Sequence, residues 1–284
     1  MTGNILVGTD GSKAARTAAD WAIAEARRSG ARLTVLCVYD PDAFHRHVVR
    51  PASLLEEEAR KAVWVTSDLI REVAPEVDVT GEVLPGGSPA REILRGAESS
   101  SLVVLGTHGL SSLPGEWLGT VADQVAAHAA VPVVLVRPEP VPEEARDVVV
   151  GVDGSPGSAH AVEVALEHAA SGRARVRAVW AWTAPESLVP AGSTEEDELR
   201  RWRHENLESV LDPLVARVPS VEVVREVRRQ HPVSSLLAHP RDTCLVVVGA
   251  RGEHGFAHLA LGGVASGVMH RSIRPVMVVH RPRT

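Results

Sequence analysis

Residues 102–120, LVVLGTHGLSSLPGEWLGT, and residues 245–263, LVVVGARGEHGFAHLALGG, are one segment met twice. In each, an apolar run ends in a glycine, and Gly106, Gly109 and Gly119 return as Gly249, Gly252 and Gly262 at a constant displacement of 143 residues. The Asp10 of GTDGS (8–12) returns at the same displacement as the Asp153 of GVDGS (151–155). A repeat of this length is a complete domain and not a solenoid unit, so the chain is read as two copies of one fold.

Outward from the first glycine segment, short β-branched runs alternate with amphipathic stretches. NILVG, ARLTVLCVY, VDVTGEVL, SLVVLG and VPVVLVRP read as strands. Between them, residues 12–28, 52–73, SPAREILRGA and VADQVAAHA read as helices. Continuous Val/Leu/Ile runs separated by helices predict a parallel sheet covered on both faces. Right-handed crossovers then predict an open, doubly wound α/β sheet of five strands. The second copy repeats the order through DVVVGVDGS, ARVRAVWAW, VEVVREVR, TCLVVVGA and RPVMVVHR. RPEPVPEEARD between the copies cannot continue a strand or a helix, which predicts domains at 1–138 and 147–284 joined by a linker at 139–146.

Bulk composition removes several functional classes. The net charge of −6 gives no global attraction for nucleic acid or an anionic membrane. Lysine occurs only at Lys13 and Lys61, so neither glycine loop carries a phosphate-loop lysine. Cys37 and Cys244 each sit inside an apolar run and read as reduced core thiols. The start MTGNILVGTDGS lacks the regions of a secretory signal, and no apolar run has membrane-spanning length. A soluble, cytoplasmic protein is expected.

In an open parallel sheet, ligands bind beyond the carboxyl ends of strands where the chain order reverses. The residues there are Gly8 and Asp10 after the first strand, and Gly106, Gly109, Gly119 and Thr120 around the fourth. Gly106 and Gly109 are expected to adopt conformations closed to other residues and to admit a ligand close to the backbone. Gly119 and Thr120 stand near a helix start, where N–H groups and the dipole favour an anion. Asp10 is placed to accept from a sugar hydroxyl or an adenine amine. The same GTDGS also suits an N-capping turn, with Asp10 or Ser12 as the cap.

At these residues the chain resembles the universal stress protein family. That family's nucleotide signature runs Gly, two residues, Gly, nine residues, Gly, then Ser or Thr, and Gly106, Gly109, Gly119 and Thr120 meet it, with Val121 following. Asp10 matches the strand-one aspartate, and Val38 matches the adenine-contacting valine of strand two. The resemblance implies a Rossmann-like fold in tandem, and ATP, with Mg²⁺ as the accompanying ion, bound at the strand ends. It also implies a role in stress or dormancy, pairing of domains through their last strands, and room for a homodimer. In the second copy the matching positions are Gly151, Asp153, Ala181, Gly249, Gly252, Gly262, Gly263 and Val264. Gly263 lacks the hydroxyl, Ala181 replaces the valine, and Arg251 and His254 stand where the first copy has His108 and Ser111, so the second site is expected to bind more weakly.

No nucleophile is paired with a base, so binding without turnover is expected. An ATP-hydrolysing or nucleotidyl-transferring enzyme on the same fold, and a partner-binding scaffold with relic loops, are the alternatives. His254 and His258 have the spacing of a metal pair but no third ligand, and His45 and His47 read as exposed polar residues ahead of a membrane- or partner-facing loop. Trp180 and Trp182 are expected to pack against helices on opposite sides of the sheet, and the acidic clusters 56–58 and 195–198 to be solvated first turns of helices.

Overall fold

A computed structural model describes residues 3–42, 51–109, 118–172, 174–253 and 260–281. His45, His47, Ser111, His254 and His258 lie outside the described residues. The chain divides into two units, the first ending at Pro140 and the second running from Val141 to Arg281.

The first unit comprises β1 (Asn4–Gly8), α1 (Lys13–Ser29), β2 (Arg32–Tyr39), α2 (Ala52–Val73), β3 (Val79–Pro85), α3 (Pro89–Ala97), β4 (Leu102–Gly106), α4 (Thr120–His128) and β5 (Val133–Val136). Its strands are parallel in the order β3-β2-β1-β4-β5. The second unit comprises β6 (Asp147–Gly151), α5 (Pro156–Gly172), β7 (Arg175–Trp182), α6 (Thr194–Val215), β8 (Val223–Arg229), α7 (Pro232–Leu236), β9 (Thr243–Gly249), α8 (Gly263–Arg271) and β10 (Val276–Val279). Its strands are parallel in the order β10-β9-β6-β7-β8. Each unit is the doubly wound, Rossmann-like sheet that the alternating pattern predicts. The order reverses between β1 and β4, and again between β6 and β9.

Burial on both faces explains the unbroken apolar strands. Ile5, Leu6 and Val7 of β1 are all buried, although successive side chains point to opposite faces. Helices α1 and α2 pack together, as do α3 and α4, and together they cover the two faces. The buried stripe of α1 is almost all alanine (Ala14, Ala15, Ala18, Ala19, Ala22 and Ala26, with Ile23), so the helix lies close to the strands. Ser12 caps that helix, its Oγ accepting from the Ala15 amide at 3.1 Å. Gly30 ends it at φ 70°, its amide returning to the Ala26 carbonyl. Cys37 and Cys244 are unpaired, and burial pushes both thiols up to about 11, consistent with unreactive packing residues.

Two expectations are corrected. Trp180 and Trp182 are two residues apart on β7 and therefore share a face. Both are buried, Trp180 beside Gly154 and Trp182 beneath the Arg203 guanidinium of α6, 4.4 Å from its ring centre. The cluster opening α6 is not wholly solvated either. Glu196 is buried, accepts from the Gly192 amide at 2.7 Å, and pairs with Arg200 and Arg229.

The units differ in how they satisfy polar groups on the face that meets α3 or α7. In the first, a neutral chain runs from Ser100 through Asn4 (3.1 Å) and Thr34 (2.9 Å) to Thr80 (3.3 Å). In the second, Asp147 and Arg177 occupy the positions of Asn4 and Thr34. Asp147 is fully buried between Arg175 and Arg177, Arg177 also pairs with Glu226, and Arg228 joins Glu226 to His239. Burial alone would raise the Asp147 carboxyl, but hydrogen bonds from Arg175 and Arg177 hold it below its ordinary value. Its stabilising contribution is therefore complete above the unfolded-state value and is lost as pH falls through the folded-state value. Asp147→Asn should destabilise the protein at neutral pH by about 2–4 kcal/mol, because the partly buried Arg177 and the more exposed Arg175 lose the buried carboxylate that both pair with. Asn4→Ala should cost about 1–2 kcal/mol. Urea unfolding at neutral and acid pH checks both figures, and the Asp147→Asn deficit should shrink in acid.

Candidate functional site

The carboxyl end of β1 turns into α1 through a loop built by its own side chains. Asp10 Oδ1 accepts from the Ser12 amide at 2.9 Å, and Thr9 Oγ1 accepts from the Gly11 amide at 3.2 Å. Gly11 holds φ 79°, the left-handed region that glycine enters without steric cost. The N-capping reading and the ligand reading thus share this turn: Ser12 caps the helix while Asp10 shapes the loop. Thr9 Oγ1 also lies 3.2 Å from Thr66 Oγ1, which ties the turn to α2.

Beside it, β4 ends at Gly106 directly beneath the first turn of α1. A Cβ at 106 would lie 2.7 Å from the Ala14 carbonyl carbon and 2.8 Å from its oxygen. A Cβ at 109 would lie 2.6 Å from Asp10 Oδ2, so the loop passes hard against that carboxylate. Neither glycine has a positive φ, which corrects the expectation of special backbone conformations there. Space, not dihedral freedom, is what these positions require.

The loop after β4 is pinned where it returns. The Gly119 amide donates to the Thr107 carbonyl at 2.7 Å, and the Thr107 amide donates to Val136 at 3.1 Å. Helix α4 begins at once, with Gly119 as its N-cap. The N–H groups of Thr120, Val121 and Ala122 therefore have no acceptor within the helix.

These elements enclose a cavity of about 350 Å³. All eight residues singled out in the first copy line it: Gly8, Asp10, Val38, Gly106, Gly109, Gly119, Thr120 and Val121. Residues that the sequence reading missed complete the wall. Leu36, Pro89, Ile93 and Leu105 form an apolar side, and Thr9, Ala15, Thr107, His108 and Ala122 the remainder. Leu36 was within reach of the pattern, since it pairs in register with Gly8 and lies two residues before Val38. Pro89 and Ile93 carry no local signal, because only the packing of α3 brings them there.

In the second unit the same framework recurs with altered contacts. Gly151 ends β6, Ala181 lies in β7, Gly249 ends β9, Gly262 caps α8, and Gly263 and Val264 open that helix. The Gly262 amide returns to the Ala250 carbonyl at 2.8 Å, as Gly119 does to Thr107. Asp153 accepts from the Ser155 amide at 3.0 Å and from the Glu253 amide at 2.9 Å. Burial alone would raise its carboxyl, but the bonds from Ser155 and Glu253 hold it below the ordinary range. Where the first unit has Ala14, the second has Gly157, and a Cβ there would lie 2.8 Å from the Arg251 carbonyl oxygen. The Gly263 position has open space instead, with nothing within 4 Å of a Cβ.

The universal stress protein family model matches residues 1–137 and again 144–280. A universal stress protein of Mycolicibacterium smegmatis is 31% identical over 290 residues, covering 98% of this chain and 97% of that protein. One from Mycobacterium tuberculosis H37Rv is 30% identical over 315 residues, covering 98% and 95% respectively. The chain belongs to the universal stress protein family. A solved universal stress protein from Archaeoglobus fulgidus superposes with a TM-score of 0.72 at 20% identity, covering 98% of this chain and 96% of that one, which shows the shared fold.

The crowding at Gly106 yields a direct expectation. Gly106→Ala drives a methyl group into the α1 backbone, which cannot rotate aside, and should cost about 1–3 kcal/mol. Thermal unfolding beside Gly263→Ala, which meets open space, measures this, and equal stability of the two variants would contradict the crowding.

Proposed function

We propose that the first unit binds an adenine nucleotide, with ATP as the ligand, and that the chain acts as a cytoplasmic regulator in stress or dormancy without turning the nucleotide over. The observation that carries this reading is the convergence of Asp10, Val38, Gly106, Gly109, Gly119, Thr120 and Val121 on one cavity. Its size falls in the usual range for small-molecule sites, roughly 300–1,000 Å³.

The chemistry of the two sides supports the orientation. Leu36, Val38, Pro89 and Ile93 offer an apolar slot for a purine, with Asp10 nearby to accept from ribose hydroxyls. The opposite side is made of Gly109, Gly119 and the first-turn N–H groups of α4, which suit phosphate oxygens. A Cβ at 106 or 109 would meet Ala14 or Asp10, so glycine there lets the loop close up against α1 and the Asp10 turn and shape the cradle. The Thr120 hydroxyl is exposed at the helix start and adds a donor. Among the described residues, no group of three His, Cys, Asp or Glu side chains could hold a metal by itself. Mg²⁺ would be held mainly by the triphosphate, with Asp10 the one carboxylate in the described lining that could join it. Among the described residues, no helix is long and apolar enough to cross a membrane.

Thr120→Val should weaken ATP binding about tenfold through loss of one bond to a charged group. Gly119→Glu should weaken it at least about thirtyfold by setting a carboxylate against the phosphates. Equilibrium dialysis with radiolabelled ATP tests both, and unchanged affinity in the pair would refute the assignment. The open space at Gly263 allows a second test. Gly263→Thr should restore the missing hydroxyl and raise the nucleotide bound per chain at subsaturating ATP; an unchanged ratio would show that the hydroxyl is not what limits the second unit.

A further inference from the structure

The wall of the first cavity carries two ionisable side chains among its described residues, Asp10 and His108. A triphosphate brings several negative charges, and neither lysine of the chain lines the site. His108 is thus the one described lining side chain able to become a cation. It lies between Thr107, whose carbonyl holds the Gly119 amide, and Gly109, which passes against Asp10. Gly109 belongs to the part of the wall suited to phosphate, and Thr107 is bonded to Gly119 of that part.

The imidazole is also held in place. His108 Nδ1 lies 2.9 Å from Thr107 Oγ1, and Thr107 is only 1% exposed. A hydroxyl accepts from a protonated imidazole and donates to a neutral one, so this anchor survives a change of charge. At the corresponding position 143 residues later stands Arg251, a permanent cation. Both copies place a side chain capable of positive charge at this point of the loop.

We infer that His108 makes nucleotide occupancy of the first unit sensitive to pH, its protonated ring favouring the polyphosphate over the uncharged nucleoside. This rests on the adenine-nucleotide reading above and assigns that site a mode of regulation. Histidine is the side chain that ordinarily changes charge between about pH 5 and 8. The other ionisable groups on the surrounding elements include Asp10 beyond β1, Lys13 in α1, Glu92 in α3, Asp123 in α4 and Arg137 after β5. These, and the terminal phosphate of the ligand, are common to wild type and to His108 variants, so comparing the proteins removes their contribution.

The test is calorimetric titration of the full chain with ATP and with adenosine, at about pH 8 and about pH 5.5. Wild type, His108→Gln and His108→Arg are compared, with thermal melts confirming folding. The second unit is unchanged in all three. Between those pH values the wild-type affinity for ATP should rise about fivefold more than that of His108→Gln, the size expected of one partly screened charge pair. His108→Arg should match wild type at pH 5.5, bind more tightly than it at pH 8, and share the shallower pH slope of His108→Gln, while adenosine affinity should be the same in all three proteins. Equal pH slopes in wild type and His108→Gln would overturn the role of His108 while leaving nucleotide binding intact. Failure of wild type to bind ATP at either pH would instead refute the nucleotide reading. Should His108→Gln not fold, a His108→Arg affinity that varies with pH as wild type does would overturn the inference.

Discussion

The first turn of α1 lies so close to the end of β4 that the Ala14 carbonyl leaves no room for a side chain at Gly106. Much of the first unit depends on this contact. It sets the depth of α1 on the sheet at the point where strand order reverses, and an alanine-rich helix face makes that depth possible. With α1 seated there, the turn containing Asp10 overhangs the loop after β4, and Gly109 must pass against the carboxylate. The loop then returns to Thr107 and launches α4 toward the same space. The cavity is what remains between these close backbone approaches. The contact recurs between Gly157 and Gly249, where a Cβ would lie 3.1 Å from the Gly157 carbonyl. Duplication has preserved the approach while the residues around it diverged.

That divergence reaches the interior. The same location is satisfied by Asn4 and Thr34 in one unit and by Asp147 and Arg177 in the other. A neutral chain of hydroxyls and amides has little desolvation cost. A buried carboxylate between guanidinium groups has a large one, and is tolerable because each charge meets an opposite one with directed hydrogen bonds. At the strand ends the second unit departs again, with Gly157 admitting the Arg251 carbonyl and Gly263 in place of the threonine. Similar folds have thus been kept with different internal electrostatics and differently furnished strand ends. Family membership by itself says nothing about whether both units carry a ligand.

Three features depart from the sequence pattern for physical reasons. Trp180 and Trp182 were expected on opposite faces, although a period of two puts them on the same one. Gly106 and Gly109 were expected to need unusual dihedrals, but their φ values are open to other residues and a crowded neighbour is what excludes a side chain. The positive φ falls instead at Gly11 and Gly154, inside the aspartate turns. Glu196 reads as a solvated residue of a helical first turn, yet Arg229, from the end of β8, reaches it and buries it.

The sequence by itself determined the elements, their parallel arrangement, the duplication and the glycine, aspartate and threonine positions of the candidate site. These follow from local chemistry: periodicity of burial, turn residues, helix starts and a constant displacement between copies. Helix α2 begins and ends at the residues that its periodicity marks, Ala52 and Val73. Only the tertiary structure decided what faces those positions. It brought Pro89 and Ile93 of α3 to the cavity wall, set Ala14 against Gly106, and joined Asp147 to two arginines 28 and 30 residues away. The physical reason is that such contacts depend on how closely helices settle on the sheet, which is a property of packed volumes and not of any local run of residues.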